Sequence, residues 1–106
     1  MNEPMYAMQR ANGEWLMTEI EGQRCLPVFQ NAMAARRVHQ RVGTLMVYRP
    51  QPLDSEVITK LQRQTPDLRF WLVDDFAPNP DLTPGRWLSP DELITAGDAG
   101  GYAMAA

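Results

Sequence analysis

The fold of this 106-residue chain is decided by residues 24 to 43, which read RCLPVFQNAMAARRVHQRVG. The first part, Arg24 to Phe29, is a short apolar segment that predicts a β-strand. Asn31 follows as a helix N-cap, because its side-chain oxygen can accept a hydrogen bond from an N–H group of the first turn. The alanine-rich run after it predicts a helix that stops at Gly43. A strand that leads into a helix is the building unit of α/β folds.

Two further strands are predicted upstream of this unit, at Met5 to Arg10 and Glu14 to Ile20. The turns between the segments contain Asn12-Gly13 and Glu21-Gly22, in which residues tolerate the positive φ of a tight hairpin. The three segments therefore predict an antiparallel three-stranded meander.

The middle segment has two different faces, since neighbouring side chains of a strand point to opposite sides. Leu16 and Ile20 share the face that suits the core better. Trp15 and Met17 lie on the other face, half-covered or free to contact something else.

Downstream, the apolar run from Thr44 to Tyr48 predicts a buried strand that ends at Arg49-Pro50-Gln51-Pro52, because proline cannot donate to a ladder. Asp54 then caps a second helix, which ends at Thr65-Pro66 because the residue before proline disfavours the helical conformation. A final strand is predicted from Leu68 to Val73.

These elements predict an α/β (α+β) fold: a three-stranded meander, then helix-strand-helix-strand, as a mixed sheet with two main helices on one face or one on each. Residues 1–75 form the single domain in this interpretation. Residues 76–97 are a proline-rich arm packed on it, with a short C-terminal helix that starts at a Ser89 cap, and residues 98–106 are a flexible tail.

Composition argues against a disordered, a membrane-spanning and a disulfide-linked protein. Hydrophobic residues make up 44% and charged residues 22%, which is typical of a globular protein. The longest apolar runs are far shorter than the roughly 18 residues that span a bilayer, and the N-terminus lacks a secretory pattern, so a cytoplasmic protein is expected. The chain has one cysteine, Cys25, and one histidine, His39, so neither an intramolecular disulfide nor a metal site of several such ligands is predicted.

No catalytic residue and no cofactor is predicted from the sequence, but one feature is consistent with an enzyme. Asp74 and Asp75 follow the last predicted strand, and α/β folds bind ligands beyond strand ends, where carboxylates can hold a cation. A small ligand- or metal-binding enzyme domain centred on these two residues is therefore one hypothesis.

A protein-interaction domain is the leading hypothesis, because aromatic, methionine and arginine side chains are enriched at interfaces. The candidate interaction residues are Trp15, Met17, Arg36, Arg37, Arg41 and Trp87. The expected partner is another protein or a second copy of the chain, with a homodimer or another homo-oligomer favoured. Nucleic-acid binding through the three arginines is disfavoured, since the net charge of the chain is −3.

One stretch resembles a known family. Residues 13–16 (GEWL) and 22–29 (GQRCLPVF), followed by the alanine-rich helix, are similar to the start of the SseB-like bacterial domains, over residues 13–45. The resemblance implies a small bacterial α/β accessory domain without established catalysis, and it transfers no functional residue to this chain.

Overall fold

In a computed structural model, the structure is described for residues 4–77, 81–89 and 91–93. The elements, in chain order, are β1 (Met5–Arg10), β2 (Thr18–Ile20), β3 (Gln23–Val28), α1 (Ala32–Arg41), a 3-10 helix (Gly43–Leu45), β4 (Tyr48–Leu53), α2 (Ser55–Gln64), β5 (Arg69–Val73) and β6 (Gly85–Leu88). This arrangement confirms the α/β class.

The strands form two sheets. One has four strands in the order β2-β3-β5-β6, and the other is the pair β1-β4. β3 and β5 are parallel, and all other ladders are antiparallel. Parallel neighbours need a long crossover connection, and here the segment that contains α1, β4 and α2 provides it between β3 and β5.

One helix packs on each face of the four-stranded sheet. Alternate strand residues point to opposite faces, and they accordingly belong to two hydrophobic clusters. Leu26 and Phe70 pack in the cluster that contains Ile58 of α2. Cys25 and Trp71, their neighbours in sequence, pack in the cluster that contains Val38 of α1.

The predicted starts of the two main helices are confirmed. The Asn31 side chain accepts a hydrogen bond from the Ala34 N–H at 2.8 Å, and the Asp54 side chain accepts one from the Val57 N–H at 2.8 Å. None of the helices in the described ranges has both the length and the apolar character that crossing a bilayer requires.

The pairing of the predicted meander needs correction. β1 forms its ladder with β4, and single bridges connect it to Trp15 and Phe29. The Asn12-Gly13 turn does form, with the Gly13 N–H donating to the Arg10 carbonyl at 3.0 Å. Local turn signals predicted the neighbours in sequence, whereas β4, about forty residues away, provides a partner along all of β1.

The predicted strand from Thr44 to Tyr48 is also wrong, because the strand is Tyr48–Leu53 and contains both prolines. Pro50 and Pro52 lie opposite Met8 and Tyr6. The backbone groups of those two β1 residues bond elsewhere: Tyr6 exchanges two hydrogen bonds with Phe29, and the Met8 carbonyl accepts from the Leu16 N–H. The ladder therefore needs no donor at either proline.

The end of the chain contains a strand that was predicted as an extended surface segment. β6 pairs with β5, so that Leu68 to Val73 is not the last strand. Beyond it, the predicted cap at Ser89 forms as part of a capping box with Glu92: the Glu92 N–H donates to Ser89 Oγ at 3.2 Å, and the Ser89 N–H donates to Glu92 Oε1 at 3.3 Å. The rest of the predicted third helix and the predicted tail lie outside the described residues.

Candidate interaction surface on helix α1

The structure brings together residues that the sequence assigned to two competing hypotheses. Arg37 and Arg41 lie one turn apart on α1, and both bind the chain that follows β5. The Arg37 guanidinium forms an ion pair with the carboxylate of Asp75, whose side chain is only 7% exposed. Arg41 donates to the carbonyl of Asp75 at 3.0 Å and to that of Ala77 at 2.6 Å. These arginines therefore fix the segment after β5 against α1.

Phe76 is held at the surface by this network. Its side chain is 76% exposed, and the guanidinium carbon of Arg37 lies 4.4 Å from the centre of its ring. The Phe76 N–H donates to the Asp74 carboxylate at 3.0 Å, which fixes the turn. An aromatic side chain is thus presented to solvent by a backbone that is fixed on both sides.

The neighbouring part of α1 is also exposed and partly apolar. Met33 lies one turn before Arg37 and is 68% exposed, and residues four apart on a helix share a face. Arg36 is exposed as well, and it forms no ion pair with any residue that the structure describes. We refer to the surface formed by Met33, Arg36, Arg37, Asp74 and Phe76 as the α1 surface.

Two members of this surface, Met33 and Phe76, were not among the residues predicted from the sequence. Met33 lies in the first turn of α1, next to the buried residues Ala34 and Ala35 but not among them. Phe76 follows two aspartates and precedes a proline-rich segment. That position was a usable signal, since a large apolar side chain is placed where no regular element was predicted to bury it.

Trp87 packs on its own domain. Its ring meets that of Trp71 edge-on, with 4.8 Å between centroids and 78° between planes. The Trp71 indole N–H in turn donates to the Leu82 carbonyl at 3.1 Å. Arg69 lies over the ring of Trp87, with its guanidinium carbon 4.2 Å from the ring centroid.

Trp15 and Met17 lie in a different part of the molecule. Both are half-buried and pack against the cluster on the α2 side of the sheet, whereas Val38 of α1 belongs to the other cluster. The six predicted interaction residues are therefore not neighbours on a single surface.

The two aspartates of the enzyme hypothesis have different environments. Asp75 is buried and paired with Arg37, and the carboxylate of Asp74 is exposed and accepts the Phe76 N–H. Within the described ranges, no cluster of three or more histidine, cysteine or acidic side chains is arranged to hold a metal ion.

His39 and Cys25 are accounted for by local contacts. His39 Nε2 lies 2.9 Å from the Tyr48 carbonyl oxygen, so that this nitrogen acts as a donor. Cys25 is buried in the sheet, and burial raises the pKa of its thiol against the opposing positive charge of Arg69. A raised pKa disfavours the thiolate, which is the reactive form.

Comparisons of this chain with protein-family models, with curated proteins and with solved structures find no match. The resemblance of residues 13–45 to the SseB-like domains stays a prediction, and the function has to be argued from the geometry.

Proposed function

We propose that this chain is a non-catalytic protein-interaction domain that self-associates through the α1 surface. The observation that carries the proposal is the exposure of Phe76, which is 76% accessible although its backbone and the guanidinium above it are held in place. Aromatic side chains are enriched in interface cores, and those with few rotatable bonds lose little entropy when they become buried.

The network around Arg37 makes this surface ready to bind. Ordering side chains on association costs about 0.5–1.5 kcal/mol for each long side chain. Arg37 is already fixed by Asp75, and a guanidinium stacked on an aromatic ring presents a flat surface. A partner that covers Phe76 would therefore gain its apolar area with little further ordering at Arg37.

A second copy of the chain is the partner that fits the charges. The α1 surface contains an exposed cation, Arg36, and an exposed anion, Asp74, on either side of the Arg37–Asp75 pair in sequence. Two-fold association brings one patch against itself, so a surface with both signs of charge can be complementary to its own copy. A partner of one dominant charge would leave one of these groups unpaired.

Nucleic acid fits the same surface less well. Two of the three arginines on α1, Arg37 and Arg41, already donate to Asp75 and to the backbone after it. Phosphate binding requires guanidinium groups that are available to the phosphates.

The test is the mass of the purified chain in solution, measured by light scattering over a range of concentrations. Phe76→Ser and Met33→Ser should each weaken association by about tenfold or more, corresponding to about 1.4 kcal/mol. Met46→Ser is the matched control, since Met46 is 79% exposed and is not one of the residues that form the α1 surface. It should leave the association constant unchanged.

Two charge variants make the test more specific. Arg36→Gln removes one charge, and Asp74→Asn removes the other while it keeps an oxygen that can accept the Phe76 N–H. Each should weaken association more at low than at high salt. Two results would rule out self-association through this surface. One is a wild-type chain that is monomeric at every concentration, and the other is a Met46→Ser variant that weakens association as much as Phe76→Ser does.

A further inference from the structure

A groove lies where the strands β3 and β5 begin, at the end of the sheet opposite to Asp74 and Asp75, which follow β5. It occupies about 620 Å³ and is lined by Met17, Gln23, Arg24, Thr65, Leu68 and Arg69, together with Asp67. Gln23 and Arg69 are the first residues of the parallel strands β3 and β5. We call this cavity the strand-start groove.

The groove continues past the next strand. A second cavity, of about 430 Å³, shares Leu68 and Arg69 with the first and extends along Trp87 and Leu88 of β6. The two cavities thus meet at Arg69 and pass the ends of β3, β5 and β6. An elongated, open cleft of this kind suits an extended chain better than a compact small molecule, which is usually enclosed on most sides.

Arg69, at the centre, is held in position from two sides. Its guanidinium stacks on the Trp87 ring at 4.2 Å and donates a hydrogen bond to the side chain of Gln23. It forms no ion pair with any residue in the described ranges. A guanidinium has five N–H donors, so that a single contact to Gln23 leaves others for a carboxylate.

The charge of the groove is positive although the chain as a whole is acidic. Arg24 and Arg69 line the first cavity with one acid, Asp67. The acid of the second cavity, Glu92, is paired with Arg86 at 3.1 Å. Arginine next to carboxylate gives the strong, often bidentate hydrogen bonds that recognise acidic groups.

The rest of the lining is suited to a peptide. Met17 and Leu68 offer apolar surface beside the arginines, and the side chains of Thr65 and Gln23 offer polar groups for backbone amides. We propose that the strand-start groove binds an extended acidic peptide segment of a partner protein. Its carboxylates lie on Arg69 and Arg24, and its apolar side chains, which point the other way along an extended chain, lie on Met17 and Leu68.

The test uses the full chain and the capped peptide acetyl-Glu-Leu-Glu-Leu-Glu-amide, with isothermal titration calorimetry as the readout. The glutamate peptide should bind, and its analogue with glutamine at all three glutamate positions should bind at least about tenfold more weakly. Arg69→Gln and Arg24→Gln should each weaken binding by a similar factor. Arg63→Gln, which removes an exposed arginine of α2 outside the groove, is the matched control and should leave binding unchanged.

Four outcomes would overturn the proposal: no binding of the glutamate peptide, equal binding of the glutamine analogue, full binding by both groove variants, or complete displacement by inorganic phosphate at equal concentration. The last would indicate a small-anion site. Thermal unfolding of each variant shows whether it is folded, and Arg69→Lys, which keeps the charge without the planar fork, should show intermediate affinity.

This proposal goes beyond self-association and stands apart from it. None of the residues that line the two cavities belongs to the α1 surface. Phe76→Ser should therefore leave peptide binding unchanged, and Arg69→Gln should leave the association constant unchanged, so that the failure of one proposal does not imply the failure of the other.

Discussion

At the scale of single residues, Gly85 differs from the other glycines that the structure describes, because a side chain there would clash with β5. Gly85 pairs with Val73 at the start of β6. A Cβ atom there would lie 2.1 Å from the Leu72 carbonyl oxygen and 2.8 Å from Nε1 of Trp71. Real Cβ atoms do not approach backbone so closely, and φ is +159°, which side chains rarely adopt. The strand can lie beside β5 because this residue has no side chain.

We expect Gly85→Ala to lower the free energy of unfolding by more than about 1 kcal/mol, because the backbone of β5 or β6 must shift. Urea denaturation followed by tryptophan fluorescence measures this change. Gly43→Ala is the control, since nothing lies within 4 Å of a Cβ at that glycine. It should change stability by less than about 0.5 kcal/mol. Equal stability of the two variants would contradict the close approach.

Neither the proline-glycine pair at 84 and 85 nor the turn chemistry around it predicts this requirement. The sequence marks the position as a place where the chain can bend. The need for glycine comes from the Leu72 carbonyl, thirteen residues earlier in the chain, which only the β5–β6 pairing brings close.

At the scale of elements, the two helices and the strands differ in how far the sequence determined them. α1 and α2 were predicted with starts at Asn31 and Asp54, because a helix is capped and ended by residues within one turn. β4 and β6 were misplaced or missed. Their strand partners, β1 and β5, lie elsewhere in the chain, and the prolines of β4 argued against the strand when read alone.

The N-cap of α1 gives the prediction at this scale. Asn31→Ala removes the acceptor for the Ala34 N–H, so that the free energy of unfolding should fall by about 1 kcal/mol. For a domain of about 100 residues, this corresponds to a loss of about 4–8 °C in the melting temperature, measured by circular dichroism. Asn31→Asp keeps an acceptor and adds a favourable charge at the helix start, so it should retain the wild-type melting temperature. If Asn31→Ala has the same melting temperature as Asn31→Asp and the wild type, the cap does not stabilise α1.

At the scale of the whole molecule, the assignment of residues 1–75 to a self-contained domain stays a prediction, and truncation tests it. A chain that ends at Asp75 loses β6, the Trp87 ring against Trp71 and the Ala77 carbonyl that accepts from Arg41. We expect this chain to lose cooperative thermal unfolding, because one edge of β5 and the side of Trp71 become exposed.

Cooperative unfolding is measured by near-ultraviolet circular dichroism during heating. A truncated chain that melts sharply within a few degrees of the full chain would show instead that residues 1–75 fold independently. If the truncated chain is unfolded, its mass in solution carries no information on the α1 surface, whereas single surface variants leave the fold in place.

The residues of the candidate sites were also visible in the sequence, whereas their arrangement was not. The sequence singled out Arg36, Arg37 and Arg41 as interaction residues and Asp74 and Asp75 as the centre of the enzyme hypothesis, because charged residues are mostly exposed. It treated these two groups as alternatives. The tertiary structure joined them, since the crossover from β3 to β5 places α1 beside the end of β5, where Arg37 meets Asp75.

Composition, capping and periodicity act over a few residues, and they were enough to predict the α/β class and the two main helices with their caps. Four features appeared only in the folded chain: β1 pairs with β4, β6 completes the sheet, Phe76 is exposed under Arg37, and Arg69 lies on Trp87 in a groove. The reason is that strand pairing and side-chain stacking join residues far apart in the chain, and local propensity does not encode which partners meet.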